Sequence, residues 1–200
     1  MERKEYSAGM VKLSFWFLEF RKMINLLNSG KTLSEIKSLN IKENIFSAPT
    51  QARAIQIFNT VSNRIKGLDP SFYILFEKSD ISTQKLIVLI SIMLTDSLFF
   101  DFVYEVYREK LIIGSDELED KDIRIFFKDK QLQSEKVAEW RDYTIKRLGA
   151  CYKTMLMEAD LIDRTSGNRK ILRPIIDKSL EDCLRFNDMN LILHALTGVR

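Results

Sequence analysis

Between positions 10 and 28 the apolar residues Leu13, Phe17, Phe20, Ile24 and Leu27 recur three and four places apart, and Phe15, Trp16 and Leu26 widen the stripe. That period belongs to an α-helix, and so broad a stripe predicts one buried on most sides. The period returns along the chain with few interruptions, since 200 residues hold only seven glycines and three prolines. Thr32-Leu33-Ser34-Glu35 has the spacing of a capping box and opens a second helix. Pro49 and Thr50 introduce a third, with Ala54, Ile57, Phe58, Val61 and Ile65 on one face and Gly67 at its close. Further helices are expected over 70–76, over 82–94 and over 98–111.

Gly114-Ser115-Asp116 breaks the pattern and divides the chain into an N-terminal helical bundle, 1–113, and a C-terminal domain, 114–200. In the second part helices are expected over 120–130 and 134–140. A third comes next, in which Ile145, Leu148, Tyr152, Met155, Leu156 and Ala159 form the packed face and Lys146, Arg147 and Lys153 point away from it. Then the period changes. Leu161-Ile162-Asp163-Arg164 and Arg169-Lys170-Ile171-Leu172-Arg173 flank Thr165-Ser166-Gly167-Asn168, which has the turn chemistry of a short β-hairpin. Final helices carry Leu180, Leu184, Leu191, Leu193 and Leu196. The expected fold class is mainly α, a helical bundle followed by a winged-helix-like domain with one hairpin, because helices followed by a hairpin is the order of a winged helix-turn-helix.

Chemistry is bounded mainly by what is missing. Cys151 and Cys183 stand apart with a single histidine, His194, so no metal set and no nucleophile–base pair is expected. No phosphate-cradling glycine loop, nucleophile elbow or zinc-protease helix motif occurs, so neither a catalytic residue nor a cofactor is assigned. Asp101, Glu105 and Glu109 fall at i, i+4, i+8 and are expected on a solvated helix face. The longest apolar stretch, 86–94 with Ser91 inside it, is about half of the ~20 residues a membrane span requires. With no secretory signal at Met1 and unpaired cysteines, the expected compartment is the cytoplasm, without a membrane partner.

Charge supplies the positive signal. Lys and Arg outnumber Asp and Glu by 11 to 5 over residues 1–67, fall to 4 against 9 over 68–118, and stand at 16 against 14 over 119–200. Within the hairpin, Arg164, Asn168, Arg169, Lys170 and Arg173 crowd ten residues, and the one acid beside them is Asp163. With Lys146, Arg147 and Lys153 on the preceding helix, these eight are the candidate nucleic-acid-binding residues, set to meet backbone phosphates.

Several segments carry a likeness to a known family. Tyr6-Ser7-Ala8-Gly9, Asn44-Ile45-Phe46, Arg53, Val61, Arg64-Ile65 and the run from Phe100-Asp101-Phe102 to Glu109-Lys110 resemble the BrxA family of bacterial BREX phage-defence systems. Trp140, Lys146-Arg147-Leu148 and Met157-Glu158-Ala159-Asp160-Leu161-Ile162 continue the likeness in order, with Asp160 where the family has a glycine. The resemblance implies a nearly all-helical protein without known catalysis that binds double-stranded DNA and is encoded beside a methyltransferase and ATPases. Other BREX components are then possible partners, so a protein-interaction scaffold is the alternative. A suggested similarity of such proteins to the RNA-binding factor NusB keeps RNA as a third ligand.

Overall fold

The computed structural model describes residues 3–164 and 168–199. A 3-10 turn, Gly9–Lys12, precedes α1 (Phe17–Asn28), α2 (Leu33–Glu43), α3 (Gln51–Lys66), α4 (Ser71–Lys78) and α5 (Ile81–Thr95). After α6 (Ser97–Phe102) a π-helical turn, Val103–Tyr107, leads into α7 (Arg108–Ile113). The second part holds β1 (Glu117–Leu118), α8 (Asp120–Gln133), α9 (Glu135–Ala138), α10 (Asp142–Glu158) and β2 (Arg169–Lys170), then α11 (Lys178–Phe186) and α12 (Asn190–Thr197). The expected mainly α class is the one the chain adopts.

Helix starts obey local capping chemistry. Thr32 accepts from the Glu35 amide while the Glu35 carboxylate accepts from Thr32, completing the box that opens α2. Thr50, Asp80 and Asp96 each accept from the amide three residues on, at the starts of α3, α5 and α6. α5 is buried along nearly its whole length and forms the centre of the molecule. No single helix among the described residues is long and apolar enough to cross a membrane. α5 and the next helical stretch meet at a bend of 116° at Asp96.

Two interruptions depart from simple periodicity. The stripe expected to form one helix from position 10 is broken. Residues 13–16 are not helical, and Trp16 lies in the left-handed region at φ 55° just before α1. Arg64 from α3 holds that break, donating to the carbonyls of Phe15 at 2.8 Å and Ser14 at 2.9 Å. The second interruption is the π-turn, where the Arg108 amide reaches the Val103 carbonyl five residues back. Of the three acids expected on one solvated face, Glu105 and Glu109 are exposed and line one cavity, whereas Asp101 is buried. Asp101 is 2% exposed, takes hydrogen bonds from Arg3 and the Tyr6 hydroxyl, and lies 3.7 Å from the Lys130 ammonium. Glu105 receives Lys130 at 2.6 Å, and Glu109 pairs with Arg108.

One continuous buried cluster runs from Met10 to Leu196 and takes side chains from both sides of Gly114. Tyr152 of α10 packs on Phe99, Phe102 and Phe127, with ring centroids 5.1 to 5.6 Å apart. Phe99, Phe100, Phe102 and Tyr107 are core, and Tyr104 is half-buried.

Candidate nucleic-acid interface

α10 is held against α8 by a close approach. Gly149 faces Ile123, and a Cβ added to it would stand 2.8 Å from Ile123 Cγ2. Only a glycine lets the two helices come so near, which narrows the groove between them to a cavity of ≈ 280 Å³. Asp120, Arg124, Lys146 and Lys153 line it. Lys153 donates to Asp120 at 2.7 Å, and this bond, with the Lys153, Arg124 and Arg169 charges, holds the Asp120 carboxyl below its ordinary pKa. Three cations, Arg124, Lys153 and Arg169, act on that carboxylate, and Lys146 lines the same groove. Sequence reasoning missed Arg124 because on α8 it is one exposed charge among several with no periodic mark.

α10 ends in a Schellman arrangement. The Leu161 amide reaches Leu156 at 2.9 Å and the Asp160 amide reaches Met157 at 3.1 Å. Asp160 takes the left-handed conformation, φ 57°, and its carboxylate is paired with Lys85 at 2.6 Å. It therefore does what a glycine would do at that place, and the chain turns directly into the strand region. There Ile162 bridges Ile171, the Asp163 amide donates to Lys170, and the Leu172 amide donates to Leu161. The turn residues Thr165, Ser166 and Gly167 lie outside the described residues.

Pairing extends to a segment the sequence did not mark. β1 runs antiparallel to β2 on its other side, with Glu117 opposite Lys170 and Leu118 opposite Arg169. This brings acids to what had looked like a nearly uncompensated basic hairpin. Asn168 donates to Glu117 at 2.9 Å, and Arg164 stands 3.9 Å from Glu158. Lys170 is exposed, while Arg169 is half-buried and donates to the Asp163 carbonyl.

Two candidates point elsewhere. Arg173 donates to the Leu111 carbonyl at 2.6 Å and closes the end of α7, beside the bond from the Tyr107 hydroxyl to the Leu172 carbonyl. Burial raises the Tyr107 pKa, partly opposed by the Arg173 charge, so the hydroxyl keeps its proton for that bond. Arg147 is exposed, lies over the Tyr143 ring and donates to the Val11 carbonyl of the 3-10 turn at 3.3 Å. The structure thus sets Lys146 and Lys153 in one groove, with Arg169 acting on the Asp120 carboxylate there, places Arg164, Asn168 and Lys170 along the strands, turns Arg147 toward the N-terminal turn, and removes Arg173 to α7.

Comparison with known proteins agrees along the whole chain. The BrxA family model matches residues 4–188. The chain is 38% identical over 198 residues to the BREX protein BrxA of Bacillus cereus (strain H3081.97), covering 99% of each. A crystal structure of an uncharacterized protein from Magnetospirillum magneticum superposes with a TM-score of 0.82 over 98% of this chain and 100% of that one, at 18% identity. That likeness speaks for the fold alone.

Proposed function

The chain belongs to the BrxA family, and from that premise we propose that it serves a BREX phage-defence system by holding double-stranded DNA, without catalysis of its own. The observation that carries this reading is the cluster of Arg124, Lys153 and Arg169 round Asp120, with Lys146 on the same α8–α10 groove. The order of β1, α8, α10 and the paired strand segments after α10 is read as a winged helix in the C-terminal part, 114–200. In such a module the helix in the position of α10 enters the major groove and the strands approach the neighbouring backbone. Lys146, Arg164 and Lys170 meet phosphates, while Lys153 first exchanges its bond with Asp120 and Arg147 its bond with the Val11 carbonyl. Because these contacts are to the backbone, they position the duplex and carry little sequence information.

Lys146→Ala combined with Arg147→Ala tests the assignment. Both side chains are exposed, so the melting temperature should stay within about 2 °C of the parent, as surface substitutions usually do. The slope of log K against log salt on a duplex should shrink by about 1.8, at about 0.9 per phosphate lost. A collapse in stability with no change in slope would make the pair structural.

A second reading, a contact with other BREX components, is favoured by a different surface. Between α7 and α8 a cavity of ≈ 210 Å³ is lined by Glu105, Glu109, Asp129 and Asp122, the last paired with Lys110 at 2.7 Å, round Ile113 and Ile125, which are 71% and 57% exposed. An apolar floor with an acidic rim suits a basic protein segment and repels DNA. The two readings concern different surfaces and are compatible.

A further inference from the structure

The largest basic concavity of the N-terminal part is unclaimed by the α10 surface. Between α2 and α3 a groove of ≈ 660 Å³ is lined by Ser34, Lys37, Asn59, Thr60, Asn63 and Lys66 over an apolar floor that includes Leu13 and Phe58. Among the described residues no carboxylate lines it. The nearest acid in sequence, Glu35, is turned back into the capping box, where Thr32 donates to it through its amide and its hydroxyl. Among the described residues the side chains of Lys37, Asn59, Asn63 and Lys66 enter no hydrogen bond or ion pair, and all four are exposed. The contrast with α10 and its strands is physical, since there most cations already hold a partner. Here two ammonium groups and two amides stand ready on one concave face, a set of donors matched to phosphate and sugar oxygens.

The groove also lies next in line from α10. Arg147 reaches the Val11 carbonyl of the 3-10 turn. Gln56 of α3 reaches the carbonyl of the neighbouring Lys12 at 3.4 Å, and Leu13 already lines the groove. Exposed Lys12 therefore stands between the two surfaces. From Gln56 to Lys66 α3 advances about 15 Å at 1.5 Å per residue, which is four to five nucleotides at about 3.4 Å each.

We propose that the α2–α3 groove is a second backbone-binding site for the same duplex held at α10, joined to it across Lys12, with Lys37 and Lys66 on phosphates and Asn59 and Asn63 on phosphate or sugar oxygens. The inference rests on the reading that α10 holds duplex DNA. It adds that a duplex of about one turn, about 10 bp, fills only the α10 surface, and that a longer one continues along α3.

The test uses the full chain with duplexes of about 12 and about 24 bp, one and two helical turns, for the parent and the Lys37→Glu/Lys66→Glu variant. A melting curve confirms that the variant is folded. The expected result is that the parent binds the longer duplex more tightly. The variant should lose at least about tenfold on it, with a salt slope smaller by about 1.8, and less than about threefold on the shorter one. An unchanged slope on the longer duplex overturns the second site and leaves binding at α10 intact. An equal loss at both lengths also overturns it, because the groove would then not be an extension of the α10 surface. If the parent binds neither duplex, it is the α10 reading that fails.

Discussion

Arg64→Ala is expected to destabilise the fold by about 3–5 kcal/mol, read as a lower urea midpoint at unchanged slope. Arg64 is 2% exposed, and burial lowers its pKa to about 10, which leaves it charged at neutral pH. Its guanidinium spans two carbonyls, those of Ser14 and Phe15, and its Cζ lies 5.6 Å from the centre of the Trp16 ring. Those carbonyls belong to the break between the 3-10 turn and α1, where no helical amide can reach them. Truncation removes their donor and opens a cavity, and release of Trp16 from a left-handed backbone that costs an L-residue roughly 1–2 kcal/mol offsets only part of that loss. Arg64→Lys should recover only part of the loss, because an ammonium cannot present a planar fork to two acceptors at once. A loss under about 1 kcal/mol for the alanine variant would mean that the break holds itself.

Lys130→Met should cost a similar amount by a different route. Its side chain is 3% exposed, as is that of Asp101, and it joins Glu105 at 2.6 Å while lying 5.4 Å from the centre of the Phe126 ring. Methionine keeps most of the volume, so the loss isolates the charge. It leaves Asp101 buried with Arg3, whose side chain is 64% exposed, and the Tyr6 hydroxyl. Breaking one side of a buried pair typically costs about 3–5 kcal/mol, and the remaining partners place this case near the lower end. Adding Asp101→Asn should recover at least about 1 kcal/mol, since the neutral amide needs no cation, and that coupling is what a double-mutant cycle measures. Additive losses would show that the two groups do not interact.

The apolar faces of the helices were legible because burial is written locally, three and four residues apart, and the caps at Thr32 and Thr50 were legible for the same reason. Features set by residues far away in the chain were not. The break at 13–16 needs Arg64, some fifty positions on. The π-turn leaves no compositional mark, and the burial of Asp101 depends on Arg3, Tyr6 and Lys130, all far from it in the chain. β1 is two residues long, too short for alternation to show, and it is what places Glu117 against Lys170 and Asn168. Hence the hairpin looked more basic in sequence than it is in space. Exposed positions on α10 could be read from spacing. The pairing of Lys153 with Asp120, the reach of Arg173 to α7 and the addition of Arg124 all depend on α7 and α8 being where they are.

Equilibrium binding of the parent protein to a 24-bp duplex, a single strand of the same length and a structured RNA, from about 50 to 200 mM salt, tests most directly whether this chain holds duplex DNA by its backbone. The duplex should bind tightest. Its log–log salt slope should be about −6, the sum of roughly seven phosphate contacts at about 0.9 each over α10, its strands and the α2–α3 groove. Absence of saturation on the duplex at the lowest salt up to about 100 µM protein, the weak end of non-specific DNA binding, would contradict duplex binding, as would tighter binding of the RNA.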